Sequence, residues 1–105
     1  MVYITDSGWT VVYADHRAQR EVKKLAEDVR AHLERTVAMI ETYGLDQVHE
    51  PYVKHVTGKL WEIRAKGRDG IARALYVTAI GKRVIILHAF VKKTQQTPHE
   101  AIELQ

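Results

Sequence analysis

Cysteine is absent from the 105-residue sequence. This absence excludes a disulfide-stapled scaffold, a thiol nucleophile and thiolate metal sites. The sequence also lacks an apolar run of about eighteen residues, and its N-terminus lacks the charged, apolar and small-residue order of a signal peptide. The length supports one modest hydrophobic core, so we expect a soluble, cytosolic protein with a single domain over residues 1–105.

Acidic residues are scarce in the second half of the chain. Residues 52–93 contain ten Lys or Arg, against only Glu62 and Asp69. Residues 1–51 contain six basic and nine acidic residues, so the overall net charge of +3 understates the asymmetry. A local charge of +8 is typical of a protein that binds a phosphate backbone, and a solvated sheet surface is the alternative interpretation.

Three successive β-strands joined by two tight turns are predicted in the same region. β-branched and aromatic residues are concentrated in residues 59–66, 71–79 and 83–91. The glycines that hairpin turns require lie between these segments, within residues 66–70 and 80–82. This arrangement predicts an antiparallel meander.

The last of these strands is apolar almost without alternation. Such a run predicts a central strand that is covered on both faces. The strand continues directly into Lys92 and Lys93. A buried strand that ends in two cations indicates a site for an anionic ligand.

The first half of the chain predicts one strand and a long amphipathic helical stretch. Residues 9–14 form the strand, and Asp15 is placed to cap the helix that follows. Apolar residues recur at helical spacing as far as Tyr43, and Gly44 ends the pattern. One unbroken helix would be about 42 Å long at 1.5 Å per residue, too long for so small a domain. We therefore expect a break at residues 27–28, where Asp28 would cap a second helix.

The two remaining segments predict a connection and a final helix. Residues 45–57 contain Pro51 and show no clear period, which predicts a connection with a short strand at its end. Two histidines in this segment lie six positions apart without a third metal ligand at suitable spacing, so no metal site is expected there. Thr97, Pro98 and Glu100 match a helix start with a capping box. The helix would be short, as in a truncated or naturally short chain.

Three sequence segments carry a family resemblance. They are residues 59–64 (Lys-Leu-Trp-Glu-Ile-Arg), 72–76 (Ala-Arg-Ala-Leu-Tyr) and 87–98, which includes Phe-Val-Lys-Lys-Thr-Gln-Gln-Thr-Pro. Together they resemble the phage-derived, Gp49-like branch of the RelE/HigB toxin superfamily, over about residues 9–105. The resemblance implies an α+β fold in which an N-terminal strand and a broken helical hairpin pack on the antiparallel meander, with the C-terminal helix near the other face.

The resemblance also implies a function. Such a protein would be the toxin of a type II toxin–antitoxin system, an endoribonuclease that cleaves messenger RNA on the translating ribosome. The antitoxin would be a helix-turn-helix DNA-binding protein. Cleavage would proceed without a metal or another cofactor, through attack of a ribose 2′-hydroxyl on the adjacent phosphate. This chemistry needs cations around the phosphate, a base for the hydroxyl and an acid for the leaving oxygen.

Cations are the requirement that the sequence supplies most clearly. Arg73 matches the family arginine that faces the scissile phosphate, and the alternative is a surface arginine paired with Glu62 or Asp69. Arg64 and Lys93 match two further basic positions of the family. Four other basic residues are expected to bind RNA more generally: Lys59, Lys66, Arg68 and Lys92.

The acid and the base stay open. Glu62 stands where better-known ribosome-dependent members have a lysine, so a base in that strand would be a carboxylate. His88 could act as acid or base at neutral pH, and the alternative is a half-buried histidine on one strand face with Ile86 and Phe90. Trp61 is expected in the core with Ile63 and Ala65, whereas Glu62, Arg64 and Lys66 occupy the other face.

Two further functional classes also stay open. The same superfamily includes toxins that poison DNA gyrase without cutting RNA. A binding module of this fold that has lost catalysis is the third class, and the carboxylate at residue 62 together with the short C-terminus favours it. Retention of Arg64, Arg73 and the two final lysines favours the ribonuclease.

Overall fold

The computed structural model describes residues 7–92 of the chain. The predicted C-terminal helix and Lys93 lie outside these residues. The elements follow in the order β1 (Thr10–Tyr13), α1 (His16–Lys23), α2 (Glu27–Tyr43), a 3₁₀ turn (Leu45–Gln47), β2 (Val53–Thr57), β3 (Leu60–Gly67), β4 (Gly70–Ala79) and β5 (Arg83–Lys92). No helix in this described part is long and apolar enough to cross a membrane.

The strands form one mixed sheet in the order β1-β5-β4-β3-β2. Strands β2 to β5 pair antiparallel in sequence order, which confirms the predicted meander. β1 pairs parallel with β5 at one edge of the sheet, and the two helices carry the chain from this edge to β2 at the opposite edge. The predicted α+β fold, with helices packed on a meander, is confirmed.

Small residues on one face of the sheet let the helices approach it closely. Ala65, Ala72 and Ala74 are at most 2% exposed and form a shallow floor in β3 and β4. The apolar stripe of α2, including Leu33 and Ile40, packs against this floor and chiefly against β3. The apolar residues of α2 therefore pack against the buried residues of β3 and β4 on one surface of the sheet, which we call the helix face.

Trp61 lies on the helix face with Ile63 and Ala65 but is not part of the core. Ile63 and Ala65 are fully buried, whereas Trp61 is 37% exposed. The prediction of a core tryptophan is therefore wrong. α2 approaches β3 closely at its Gly67 end, and near Trp61 the surface is bounded by the segment around residues 45–50 instead.

The helical stretch is broken slightly earlier than predicted. Asp15 caps α1 as expected, since its carboxylate accepts a hydrogen bond from the Ala18 N–H at 2.9 Å. The break lies at residues 24–26, and Ala26 rather than Asp28 is the N-cap of α2. The Asp28 carboxylate instead accepts hydrogen bonds from the backbone N–H groups of Val29 and Arg68, at 2.8 and 2.6 Å. It ties the β3–β4 turn to the helix.

β5 lies inside the sheet as predicted, but it is not covered on both faces. Val84 and Ile86 are at most 1% exposed on the helix face. Phe90, on the other face, is 44% exposed. The near-continuous apolar run therefore overstated the burial of the strand.

A close approach at Gly67 gives a test of the packing. A Cβ atom on Gly67 would collide with Cγ2 of Val29 and lie 2.9 Å from Oδ2 of Asp28. We expect Gly67→Ala to lower the free energy of unfolding by about 1–3 kcal/mol, more than the ~0.4–1 kcal/mol gained by restricting the unfolded chain. Urea titration measures the change. Adding Val29→Ala should relieve part of the loss through a favourable coupling, and full stability of Gly67→Ala alone would contradict the close approach.

Candidate functional site

The sheet surface that faces away from the helices carries charged residues from three strands. Arg64 in β3 lies opposite Arg73 in β4, which in turn lies opposite Phe90 in β5. In the adjacent row of paired residues, Leu75 of β4 lies between Glu62 of β3 and His88 of β5. Because directly paired residues share a face, these side chains form one surface. We call it the open face, and it consists of Glu62, Arg64, Arg73, Leu75, His88 and Phe90.

Glu62 is buried beneath the two arginines. It is 4% exposed, and its two carboxylate oxygens accept hydrogen bonds from Nη1 of Arg73, both at 3.2 Å. Nε of Arg64 lies 3.4 Å from Oε2 of the same carboxylate. Two like charges directly opposite each other repel, so the carboxylate between them offsets that repulsion. The pairing of Arg73 with Glu62, given above as an alternative, is therefore present, whereas no ion pair of Asp69 exists within residues 7–92.

Each arginine also retains a buried donor without a hydrogen-bond partner. These donors are Nε of Arg64 and Nε of Arg73, neither of which has a hydrogen-bond partner within residues 7–92. For Arg64 the approach of 3.4 Å to Glu62 is an ion pair that does not meet hydrogen-bond geometry. An unsatisfied buried donor costs about 1–3 kcal/mol. The cluster would therefore gain from an anionic oxygen that drew either guanidinium into a better arrangement.

A β-bulge in β5 decides which way His88 points. Tyr76 pairs with Ile86 and the preceding residue of β4 pairs with His88, so Leu87 is an extra residue in β5. Beyond the bulge the alternation is reversed. Ile86 is buried on the helix face at 1% exposure, whereas the His88 side chain lies on the open face and is 49% exposed. The predicted shared face of His88 and Ile86 is therefore wrong, and the one shared with Phe90 is confirmed.

Two residues of α1 contact the His88 ring. Nη1 of Arg17 lies 2.7 Å from Nδ1, and because a guanidinium only donates, Nδ1 accepts and the proton of the neutral ring lies on Nε2. Oε1 of Glu21 lies 3.6 Å from the same ring nitrogen. If Nδ1 also carries a proton, it can no longer accept a hydrogen bond from Arg17. The new Nδ1–H group can then donate to Glu21. His88 thus has a partner for each charge state.

Glu21 is held in this position by the backbone of β5. β1 ends at Tyr13, and beyond that end the Ala89 N–H donates to Oε1 of Glu21 at 3.0 Å. This hydrogen bond is the main cause that lowers the pKa of Glu21, and the charges of Arg17 and His88 lower it further. Glu21 therefore remains an anion beside the histidine at neutral pH.

Arg17 and Glu21 are functional candidates that the sequence interpretation missed. Arg17 lies 71 positions from His88 in the sequence, so only the tertiary structure brings them together. A weak signal was available in their spacing of four, which gives an ion pair along α1 at 3.2 Å. That spacing is common on exposed helices and does not by itself indicate a site.

The predicted RNA-binding residues lie around the open face, and Lys66 lines a cavity together with Arg64. Lys59 lies in the β2–β3 turn and Lys66 near the far end of β3, about 23 Å apart at ~3.3 Å per residue. They would therefore contact different phosphates. Arg68 lies in the β3–β4 turn, and Lys92 ends β5. Lys93 lies outside the described residues, so its role stays a prediction.

Comparisons relate the chain to known proteins at the level of family and fold. The family model of phage-derived Gp49-like proteins matches residues 20–104. Among solved structures, the archaeal RelE–RelB complex from Pyrococcus horikoshii OT3 contains a similar chain, with a TM-score of 0.55 and 17% sequence identity, over 85% of this chain and 99% of that chain. Such low identity shows a shared fold. No curated protein sequence matches.

The buried carboxylate yields a prediction about stability. Glu62→Gln keeps the size of the side chain but leaves two partly buried guanidinium groups facing each other. We expect it to lower the free energy of unfolding by about 1–3 kcal/mol. Urea titration is the suitable measurement, because guanidinium chloride would screen the charges. The matched control is Asp69→Asn at an exposed turn, and equal urea midpoints for the two variants would show that the cluster contributes no stability.

Proposed function

We propose, from the premise that this chain belongs to the family of phage-derived Gp49-like proteins, that it is the toxin of a toxin–antitoxin pair. The family match over residues 20–104 confirms the resemblance carried by the three sequence segments. The RelE-like α+β fold implied by that resemblance is confirmed as well. The function of a toxin follows from family membership, and the arrangement of the open face supports a particular chemistry.

The activity that we propose is metal-independent cleavage of messenger RNA on the ribosome. A ribose 2′-hydroxyl gives its proton to a base and attacks the adjacent phosphorus. The bond from phosphorus to the 5′ oxygen breaks, and that oxygen takes a proton from an acid. The products are a cyclic phosphate and a free 5′-hydroxyl. Negative charge accumulates on the phosphate oxygens in the transition state, where preorganised cations lower the barrier most.

The arginine pair on the open face is the observation that carries this proposal. Arg64 and Arg73 lie directly opposite each other, with side chains 28% and 24% exposed, and each has an unsatisfied Nε–H group. Two planar donors at the spacing of paired strands suit the oxygens of one phosphate. We assign Arg73 to the scissile phosphate and Arg64 to the same or the adjacent phosphate.

Glu62 and His88 take different roles in this proposal. The Glu62 side chain is only 5% exposed and is engaged by both arginines, so a substrate hydroxyl does not reach it in this arrangement. We assign it to positioning the guanidinium groups. His88 is half exposed on the next strand but one, and its Nε2 is free of the contacts made at Nδ1. With Glu21 accepting from Nδ1–H, the protonated ring would donate from Nε2 to the leaving oxygen.

The open face also suits an antitoxin. Phe90 is 44% exposed and lies directly opposite Arg73, in the same row as Arg64, so an apolar contact lies next to positive charge. A partner segment with an apolar anchor and acidic flanks would complement it. The similar solved structure is itself a RelE–RelB complex, which supports a protein partner at some surface of this fold. We propose that the antitoxin covers the arginines and thereby blocks RNA.

Expression without a partner tests the proposed function against its two alternatives. The ribonuclease predicts growth arrest, loss of protein synthesis and shortened messenger RNA. A gyrase poison would instead produce DNA breaks with intact messages, and an inactive binding module would leave growth unchanged. Either of these last two results would overturn the proposal. The 5′ ends of the shortened messages should carry a hydroxyl, as the proposed chemistry requires.

Substitution of Arg73 separates catalysis from structure. We expect Arg73→Ala to slow single-turnover cleavage on ribosomes by about 10² or more, the scale seen when one donor to developing charge is removed. Arg73→Lys should recover only part of the rate, because an ammonium retains the charge but not the paired donors. Ribosome binding should weaken much less, since other cations hold the backbone in the ground state.

The controls for Arg73 address its ion pair with Glu62. Arg73→Ala leaves Glu62 with one partner, so melting curves accompany every rate, and Arg35→Ala on the exposed side of α2 is the matched control. A purely structural arginine would lose stability together with activity and would be replaced well by lysine. Unchanged cleavage by a well-folded Arg73→Ala protein would rule out the assigned role.

A further inference from the structure

A cavity lies on the helix face, on the other side of the sheet from the arginines. It is a cavity of about 750 Å³ between the sheet and the segment that follows α2. Its floor is formed by Val48, Val53 and Tyr76, which are at most 5% exposed. Trp9 and Trp61 also line it, and they are the two tryptophans of the chain. The volume lies within the range of small-molecule sites.

The permanently charged residues of this cavity are all of one sign, and two histidines, His49 and His55, also line it. Asp46 and Glu50 line it and are exposed, and the lining contains no lysine or arginine. Neither carboxylate takes part in an ion pair within residues 7–92. This contrasts with a region of the chain in which basic residues dominate. The cavity would therefore repel a phosphate and attract a cation.

Aromatic rings add to the attraction for a cation. Trp9, Trp61 and Tyr76 line the cavity, and tryptophan is the side chain whose face attracts cations most strongly. The His55 ring packs edge-on against Trp61 with centroids 4.9 Å apart. Its Nε2 lies 2.7 Å from the Gly58 carbonyl oxygen, to which it donates, so the ring orientation is fixed. The aromatic wall is thus preorganised.

One polar group that lines the cavity has no protein partner within residues 7–92. Tyr76 is only 1% exposed as a residue and its hydroxyl makes no hydrogen bond within these residues, but the oxygen is not completely enclosed, so it borders the open space of the cavity. Burial alone raises the pKa of this hydroxyl to about 12. A buried tyrosine hydroxyl usually finds a partner. A ligand with a polar hydrogen near the cavity floor would supply it.

We propose that this cavity binds an organic cation, an ammonium or guanidinium group carried on an apolar body. The apolar body packs on Val48, Val53 and the tryptophan rings. The charged group lies toward Asp46 and Glu50, and one of its N–H groups reaches the Tyr76 oxygen. The same chemistry is offered by a free amine and by a lysine or arginine side chain of a partner protein. The site is independent of the RNA-cleaving role proposed for the open face.

Tryptophan fluorescence of the intact chain tests this proposal directly, because both fluorophores line the cavity. The first probe is phenethylamine, which is a cation at neutral pH, and the matched neutral probe is 2-phenylethanol. We expect a saturable change in emission with phenethylamine and at least about tenfold weaker binding of the alcohol. Equal binding of the two probes, or no saturation with either, would overturn the proposal.

Variants locate the bound cation. Asp46→Asn combined with Glu50→Gln should weaken phenethylamine binding by about tenfold, and Tyr76→Phe by a smaller factor with the ring volume preserved. Asp69→Asn at the far turn is the matched charge control and should bind normally. If the double variant binds as the unchanged protein does, the carboxylates do not hold a cation and the proposal fails. Cleavage of messenger RNA should be unaffected in the double variant, so a failure here is distinct from a failure of the proposed function.

A second pair of probes distinguishes the two sources of the cation. Butylguanidine presents a free alkyl guanidinium with a single charge, and acetyl-Leu-Arg-Leu-amide presents the same group on a peptide. Tighter binding of the peptide assigns the cavity to a partner side chain, and tighter binding of butylguanidine assigns it to a free small molecule. The absence of binding by both, with phenethylamine bound, would overturn the guanidinium part of the proposal.

Discussion

The ion pairs of Glu62 with Arg64 and Arg73 are the interaction on which the open face depends. The register of β3 and β4 places the two guanidinium groups directly opposite each other, where they would repel. The buried carboxylate lets them stay together and turns two strand residues into one concentrated positive site. It does so at the cost of leaving one donor of each arginine unsatisfied. A site of this kind is stable without a ligand and still favours an anion when one arrives.

Much of this arrangement follows from the alternation of side chains between the two faces of a strand, which can be recognised in the sequence. The pattern of residues 59–66 placed Glu62 and Arg64 on one face and Ile63 and Ala65 on the other, and the structure has them there. Helix capping by Asp15 and the end of α2 at Gly44 were equally predictable, because both depend on local backbone chemistry. Local rules therefore gave the elements and the face of Glu62 and Arg64, whereas the position of Arg73 directly opposite Arg64 depends on the strand register.

The features that escaped prediction depend on distant residues. Asp28 has the chemistry of an N-cap, but its carboxylate is taken by the turn after β3, so the helix break falls elsewhere. Trp61 continues an apolar pattern, yet its burial depends on how far α2 extends over β3. The contacts of His88 with Arg17 and Glu21 join residues from opposite ends of the chain. No short sequence window contains both partners of such a contact.

The bulge at Leu87 also bears on how the length of this chain can vary. β5 contains one residue more than β4 at this point, while the pairs on either side of it are regular. Loss of a residue here would remove the irregularity and leave every side chain of the strand on its present face. Loss of a residue between Ala89 and Val91 would instead exchange the two faces for all that follows. Insertions and deletions among natural relatives are therefore expected to concentrate at this one position of the strand.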